Sequence, residues 1–363
     1  MKTSLLDILA CPDCGSPLKL SVFEEFSGGG NDVREGLLLC EGCSEIHPVI
    51  EGIPRFVPNV FLRHPDFAKK YPQVAGASDE GTRRAFLKAH GSTQERFGFE
   101  WMNYPGPLPE DREVFLAETQ VPAGDWKGKR VLDAGCGMGR YSRVAHELGA
   151  ETVALDLSHA LERLSDLARS SGRLHLVQGN LLSPPFRDKV FDIVYSVGVI
   201  HHTPSAREAF RKISRLARSG GTLSVWVYGA AGKFSDFRTN PLRPGRAGLK
   251  PVIFWVWLTV KIREFLSDVL RLFTVRIPGK LLYLLCYPLA FLGAVPGIRY
   301  LTFSAHPLWR VRLQENFDWL TPPYQSHHSK EELGRWFEEE GCEVVKVLPH
   351  GFVPKPGILG RKK

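Results

Sequence analysis

The sequence predicts an α/β protein: a doubly wound, Rossmann-like sheet, with an N-terminal zinc ribbon before it and a helical insertion after its fifth strand. Three observations carry this expectation. Two CxxC pairs, Cys11/Cys14 and Cys40/Cys43, stand near the start. A buried-strand pattern runs straight into Gly135-Cys-Gly137-Met-Gly139 and a helical pattern, and strands and helices then alternate with short links. Apolar and basic sequence over residues 230–328 separates the fifth strand from the last helix and strand pair. At 363 residues the chain has room for two domains. Its 43% apolar and 24% charged residues and mean hydropathy of −0.14 exclude both an intrinsically unfolded chain and a polytopic membrane protein.

The two knuckles, Cys11-Pro-Asp-Cys14 and Cys40-Glu-Gly-Cys43, offer four thiolates. That donor set and spacing suit a closed tetrahedral Zn²⁺ site with no position left for water, hence a structural metal. Leu18–Phe23 and Gly36–Cys40 read as strands around a turn at Gly28–Gly30. A redox CxxC would need a thioredoxin-like βαβ context, which is absent. His47 is expected at the surface, with replacement of one thiolate as the alternative. An odd total of seven cysteines suits a reducing compartment better than a disulfide framework. The opening MKTSLLDILACPDC has too short an apolar run for a signal peptide, so the expected location is cytoplasmic. LLDILACPDCGSPL followed by LLCEGCSEIHPVIEGIPRFVP, residues 4–58, resembles the short zinc-ribbon proteins that activate tRNA and protein methyltransferases. The resemblance implies a small, independently folded ribbon and a methyltransferase neighbour.

Ser92–Trp101 is aromatic and amphipathic and precedes a helix at Glu110–Thr119. Lys129–Asp133 is the first strand of the sheet, and its glycine turn opens the helix Arg140–Leu148. Such glycines let backbone approach a ligand closely, with helix N–H groups facing it. Thr152–Asp156 is a second strand ending in a carboxylate, placed to hold two ribose hydroxyls. Leu174–Gln178, followed by Gly179-Asn180, is the third strand and Val190–Val197 the fourth. A helix over Ser205–Arg218 and a Gly220-Gly221 turn lead to the fifth, Thr222–Tyr228. A nicotinamide-binding turn would prefer GxGxxG, which Arg140-Tyr141-Ser142 does not complete.

VLDAGCGMGR, VALDLS, QGNLL, FDIVYSVGVIHHT and the GGTL turn, residues 129–228, are similar to class I S-adenosylmethionine-dependent methyltransferases of type 11. The resemblance implies that Asp133, Gly135, Gly137 and Gly139 line the methionine and ribose side of the cofactor, that Asp156 holds the ribose hydroxyls and that Asn180 faces the adenine. The usual residue at the last position is Asp, and Asn180 retains an accepting carbonyl oxygen. Ser183-Pro184-Pro185-Phe186 matches a motif of amino-group nucleic-acid methyltransferases but precedes the fourth strand, so a loop shaping the adenine side is expected. In lid position ahead of the first strand stand Gln94, Phe97 and Trp101, with a packing stripe as the alternative.

Methyl transfer from a sulfonium needs alignment and exclusion of water, and a base only where the nucleophile carries a proton. His201 and His202 follow the fourth strand, nearest the methyl group, and are the candidates for a base or a substrate contact; a loop-capping role is the alternative. Asp318, Tyr324 and His327 cluster before the last helix as substrate-side candidates.

Within the insertion, residues 233–312 hold 13 basic and 3 acidic side chains, a local excess of +10 in a chain of +8. Pro251–Val260 carries no charge, Lys261–Arg276 reads as a basic amphipathic helix, and Leu281–Ile298 is apolar but broken by Pro288, Gly293 and Pro296. Helices lying at an anionic membrane interface are expected, or a cap over the active-site mouth. Lys330–Glu340 is a helix opened by the capping box Ser329-Lys-Glu-Glu332, and strands follow at Glu343–Leu348 and Gly357–Lys362.

The expected organisation is a ribbon over 1–60, a helical linker and cofactor lid over 61–127, the sheet core over 128–229, the insertion over 230–328 and the end of the core over 329–363. The expected function is S-adenosylmethionine-dependent O- or C-methylation of a small-molecule or lipid-linked acceptor. The alternatives are an RNA or protein methyltransferase that docks through the ribbon, and a non-catalytic cofactor-binding scaffold.

Overall fold

A computed structural model describes residues 1–27, 32–76, 79–229, 250–296, 298–304, 306–348 and 356–363. The expected Gly28–Gly30 turn and residues 230–249 of the insertion lie outside the described residues. The ribbon is a four-stranded antiparallel sheet of β1 (Leu18–Glu25), β2 (Val33–Cys40), β3 (Ile46–Ile50) and β4 (Ile53–Pro54).

The second sheet holds β5 (Arg130–Ala134), β6 (Glu151–Asp156), β7 (Leu174–Gln178), β8 (Phe191–Val197), β9 (Ala217–Trp226), β10 (Cys342–Val347) and β11 (Gly357–Lys362). Their spatial order is β10-β11-β9-β8-β5-β6-β7. β7, β6, β5, β8 and β9 run parallel, and β11 enters antiparallel between β9 and β10. The chain order reverses at β5, which lies between β6 and β8. In an open α/β sheet the crevice at the carboxyl ends of two such strands is where ligands bind.

Two local expectations change. The helix expected over 205–218 ends at Ser214, and β9 already begins at Ala217. The glycine pair expected to turn before the strand instead lies inside it, where the register jumps from Phe191↔Ala217 to Ile193↔Thr222 and Gly220 adopts φ +74°. The charge-free run at 251–260 and the basic helix after it are one helix, Lys250–Thr274. Pro251 sits in its first turn, where a missing N–H costs nothing. The apolar run after it is broken into short helices, Gly279–Leu285 and Tyr287–Leu292.

The ribbon packs directly against the large sheet. Leu9, Leu38, Val49 and Phe56 are buried in the same apolar cluster as Leu132, Leu155 and Val177 of the large sheet. The Phe56 N–H donates to the Gln178 carbonyl at 2.7 Å, and the Ala10 N–H to the Pro185 carbonyl at 3.1 Å. The ribbon therefore covers β7, which would otherwise be an open sheet edge. Ser183–Phe186, expected to shape the adenine side, supplies part of this seam: Phe186 is buried and bridges to Leu9. Arg55, 1% exposed, donates to Gln178 Oε1 at 2.9 Å and pairs with Glu162 at 2.9 Å. Arg55→Met should lower stability by roughly 2–3 kcal/mol, because it strands a buried acceptor and half an ion pair. Denaturant titration checks this, and an unchanged midpoint would remove the seam from the stability account.

Candidate active site

At the carboxyl ends of β5, β6 and β8 a pocket encloses about 800 Å³, its open mouth included. That is the size of a small-molecule site. Gly135, Asp156 and Asn180 line it from the sheet side; Gln94, Phe97 and Trp101 line it from the helix Ser92–Asn103; His202 and Asp318 also line it.

The glycines have separate duties. Gly135 takes φ +97°, and a Cβ there would overlap Val199. At Gly137 (φ +53°) a Cβ would touch the Trp101 indole at 3.0 Å. A Cβ at Gly139 would overlap Leu164, so this glycine serves the packing of the helix Arg140–Glu147 and does not line the pocket. Asp133 is likewise absent from the pocket wall. Its buried carboxylate accepts from Ser142 Oγ at 2.6 Å and is pushed up to about 7 by burial, eased by the Ser142 and Tyr195 hydroxyls. Its place is behind the turn, holding strand to helix.

Asp156 does reach the pocket. Oδ2 accepts from the Gly137 N–H at 2.7 Å, and Oδ1 from the Ser158 N–H at 2.8 Å and Oγ at 2.7 Å. A carboxylate has about four acceptor positions, so three are filled, and a diol that gripped both oxygens would displace the Ser158 hydroxyl. Burial raises the Asp156 carboxyl above its ordinary range. Asn180 Oδ1 accepts from the Leu182 N–H at 3.0 Å, and its amide nitrogen lies 3.2 Å from His90 Nε2. The accepting oxygen expected to face the adenine is thus partly spent on the local turn.

The two histidines part company. His201 is fully buried and does not line the pocket. Its Nδ1 accepts from the Tyr228 N–H at 3.3 Å and its ring stacks on Tyr228 at 3.9 Å, so it is a packing residue and not a base. His202 lines the pocket. Its Nδ1 lies 3.2 Å from the Tyr324 carbonyl, which can only accept. The hydrogen is therefore on Nδ1, and Nε2 keeps its lone pair. Burial holds His202 neutral, its pKa down to about 3. Nε2 stands 3.9 Å from Asp318 Oδ1, too far for a hydrogen bond. The other Asp318 oxygen accepts from Tyr228 Oη at 2.5 Å, and burial raises its carboxyl to about 6.

Of the other substrate-side candidates, Tyr324 contributes its backbone carbonyl while its hydroxyl donates to the Ala89 carbonyl at 3.2 Å. His327 lies 3.5 Å from Gln325 and does not line the pocket. Neither ring lines the pocket; Tyr324 acts on it through its carbonyl, which meets His202 Nδ1.

Three residues escaped sequence reasoning. Glu100 is buried, its Oε2 has no hydrogen-bond partner, and burial together with Asp318 pushes its carboxyl far up. Its position one turn after Phe97 on the same helix was the available signal. Tyr228, just beyond the carboxyl end of β9, and Ser158, two residues beyond Asp156, were legible as polar groups at the ligand edge.

Cys11, Cys14, Cys40 and Cys43 converge, all four sulfurs lying within 4.8 Å of one another. Cys11–Cys43 is 3.7 Å and Cys14–Cys40 3.4 Å. Zinc–sulfur bonds of about 2.3 Å imply tetrahedral sulfur–sulfur edges of about 3.8 Å, so the residues fit that ion. His47 is buried rather than at the surface, with Nε2 3.9 Å from Cys11 Sγ and its ring against Phe56. It forms part of the wall of the cysteine cluster, which already supplies four thiolates.

A glycine turn after β5, a carboxylate closing β6 and a sheet reversed at β5 define the class I S-adenosylmethionine-dependent methyltransferase fold. Residues 132–225 match the family described as a methyltransferase domain, and residues 2–52 match the Trm112p-like protein family. The chain thus joins a class I S-adenosylmethionine-dependent methyltransferase domain to a Trm112p-like domain. Among similar proteins is one of Bos taurus named "Probable tRNA methyltransferase 9B", 36% identical over 116 residues, 30% of this chain and 24% of that protein. A malonyl-[acyl-carrier protein] O-methyltransferase of Enterobacter lignolyticus is 37% identical over 101 residues, 28% of this chain and 39% of that protein. A tocopherol O-methyltransferase of Arabidopsis thaliana is 30% identical over 141 residues, 38% of this chain and 37% of that protein. The chain spans less than half the length of each of these three relatives. Their names point to tRNA, malonyl-[acyl-carrier protein] and tocopherol, so similarity leaves the acceptor class open.

The pocket suits the family's cofactor. Asp156 lies at its floor, Trp101 covers the glycine turn, and the buried Thr93 hydroxyl on its wall lacks a partner.

Proposed function

We propose that this protein transfers a methyl group from S-adenosylmethionine to the oxygen or acidic carbon of a small-molecule or lipid-linked acceptor. The observation that carries the reading is one pocket with Gly135, Asp156 and Asn180 at one side and His202 and Asp318 at the other. Asp156 holds the ribose, the Gly135–Gly137 backbone takes the amino-acid part, Asn180 borders the adenine, and Trp101 and Phe97 close over them. When bound, the cofactor supplies a methyl group already activated by the sulfonium charge. The protein then orients the acceptor, keeps water out and removes a proton where the acceptor carries one.

His202 Nε2 and Asp318 Oδ1, 3.9 Å apart, give an acceptor hydroxyl seated beside them two acceptors for its proton. The Tyr324 carbonyl fixes the tautomer, and the Tyr228 hydroxyl aims the Asp318 carboxylate. His202 and Asp318 are accordingly the catalytic residues of this reading. An RNA acceptor has less support, because the basic groups of the insertion are interrupted by long charge-free runs such as residues 251–260 and 281–298.

The test is transfer of labelled methyl into fractionated cell extract, with acceptor pools separated into lipid, RNA and protein. Label confined to RNA would overturn the acceptor class. His202→Ala should lower kcat by roughly 10²–10⁴-fold with little change in cofactor affinity. The rate should rise with pH through about 6 as Asp318 ionises, and Asp318→Asn should remove that acid limb. For stability the same shift has the opposite sign. A carboxyl raised from its ordinary 3.8 to about 6 by burial disfavours the folded state as pH climbs through that window.

A further inference from the structure

The helix Lys250–Thr274 is amphipathic in the wrong sense for a helix in water. The face turned to the protein is polar: Arg263 donates to the Thr302 carbonyl at 3.3 Å, Ser267 to Trp319 at 2.8 Å and Thr274 to Leu320 at 2.6 Å. The outward stripe is apolar. Ile262, Phe265, Leu266, Val269 and Phe273 follow the i, i+3, i+4, i+7, i+11 spacing and are all exposed, Phe265 at 67% and Phe273 at 66%. A surface helix of a soluble protein shows the reverse arrangement. The same exposure continues on the next two helices, with Leu284 at 62% and Phe291 at 61%. Single exposed apolar residues are ordinary; a whole stripe marks a surface that meets something other than water.

We propose that this stripe docks the protein on an anionic lipid bilayer, with the apolar side chains at the acyl boundary and exposed Arg276, Lys280 and Arg310 among the headgroups. Charge selects the occupant. The segment 233–312 carries a formal excess of +10, which an anionic surface attracts. A two-fold contact between copies would set that excess against itself. Among the described residues no helix is long and apolar enough to cross a membrane, so the helix lies in the interface plane.

The docking face and the pocket share one thin layer. The helix Trp309–Leu320 carries Asp318 into the pocket, while its Trp319 and Leu320 carbonyls receive Ser267 and Thr274 from the inner side of the docking helix. Arg96, on the helix that lines the pocket, donates to the Val275 carbonyl at 2.7 Å and the Ile277 carbonyl at 2.8 Å. Delivery of an acceptor from the bilayer rests on the function proposed above; the docking itself does not.

The test is flotation of the full chain with phosphatidylcholine vesicles and with vesicles containing about one-third phosphatidylglycerol. The protein should float with the anionic vesicles, and less at high salt. Lys280→Gln should weaken that association about fivefold. The double variant Phe265→Ser/Phe273→Ser should stay at the bottom while binding S-adenosylmethionine as the parent does, which separates docking from the cofactor site. Both phenylalanines are exposed, and thermal unfolding verifies that the variant folds. A parent protein that fails to float overturns the proposal. If light scattering then shows a dimer that the double variant abolishes, the face belongs to a second copy.

Discussion

Asp156→Ala should weaken S-adenosylmethionine binding by roughly 100- to 1000-fold, measured by titration calorimetry. Hydrogen bonds to a charged group contribute about 1.5–3 kcal/mol each, and about 1.4 kcal/mol is a factor of ten in affinity. Two effects combine at this residue. The ribose hydroxyls lose their acceptor, and the Gly137 N–H, which Asp156 Oδ2 receives at 2.7 Å, loses the partner that holds the glycine turn open. Asp156→Asn separates them, because it keeps the shape and one accepting oxygen while removing the charge. It should fall between the parent and the alanine variant and unfold at nearly the parent temperature. Ser158→Ala should tighten binding or leave it unchanged, since its hydroxyl occupies an acceptor position that a ribose diol would use. An Asp156→Ala protein with unaltered affinity would remove the ribose assignment and, with it, the proposed orientation of the cofactor.

Cys40→Ser should release the metal and destabilise more than the ribbon. Elemental analysis of the parent should find one zinc per chain, and the variant close to none. Structural zinc in small domains contributes on the order of 10 kcal/mol of folding free energy. Here that energy is coupled to the catalytic sheet, because the ribbon and β5–β9 share one apolar cluster and a backbone seam along β7. The melting temperature should therefore drop by about 10 °C or more. Hydrogen exchange should accelerate along Leu174–Gln178 as well as in residues 1–56. If only the ribbon amides lose protection, ribbon and sheet are energetically separate despite their contact. A chelator added to the parent protein should reproduce the variant's behaviour, and zinc should reverse it.

Much of this molecule was legible because its signals are local. CxxC pairs announce thiolate ligands by spacing alone, and the alternation of buried strands with helices announces a parallel sheet. The glycine turn and the carboxylate seventeen residues after it mark the ligand edge from within one βαβ unit. What was misread depends on contacts between distant segments. His201 and His202 are neighbours in sequence with identical chemistry. Only the stacking of Tyr228 on one and the Tyr324 carbonyl beneath the other make the first a packing residue and the second a candidate base. Tyr324 and His327 looked chemically suited to the pocket, but neither lines it, and Tyr324 meets His202 through its carbonyl. Gly139 reads as part of the binding turn, yet Leu164 occupies the space a side chain would need.

The order of residues along the chain determined the metal chemistry, the sheet class and the position of the cofactor edge, since each follows from short spacings repeated on consecutive elements. Tertiary structure alone decided that the ribbon is welded to the catalytic sheet through Arg55 and Phe56. It also decided that Asp318 stands beside His202 in the pocket wall, and that the insertion's long helix faces outward with its greasy side. Periodicity establishes that a helix has two unlike faces, but which of them meets the protein depends on the groups waiting opposite. Here those are main-chain carbonyls at Thr302, Trp319 and Leu320, which call for donors and leave the apolar stripe to the outside.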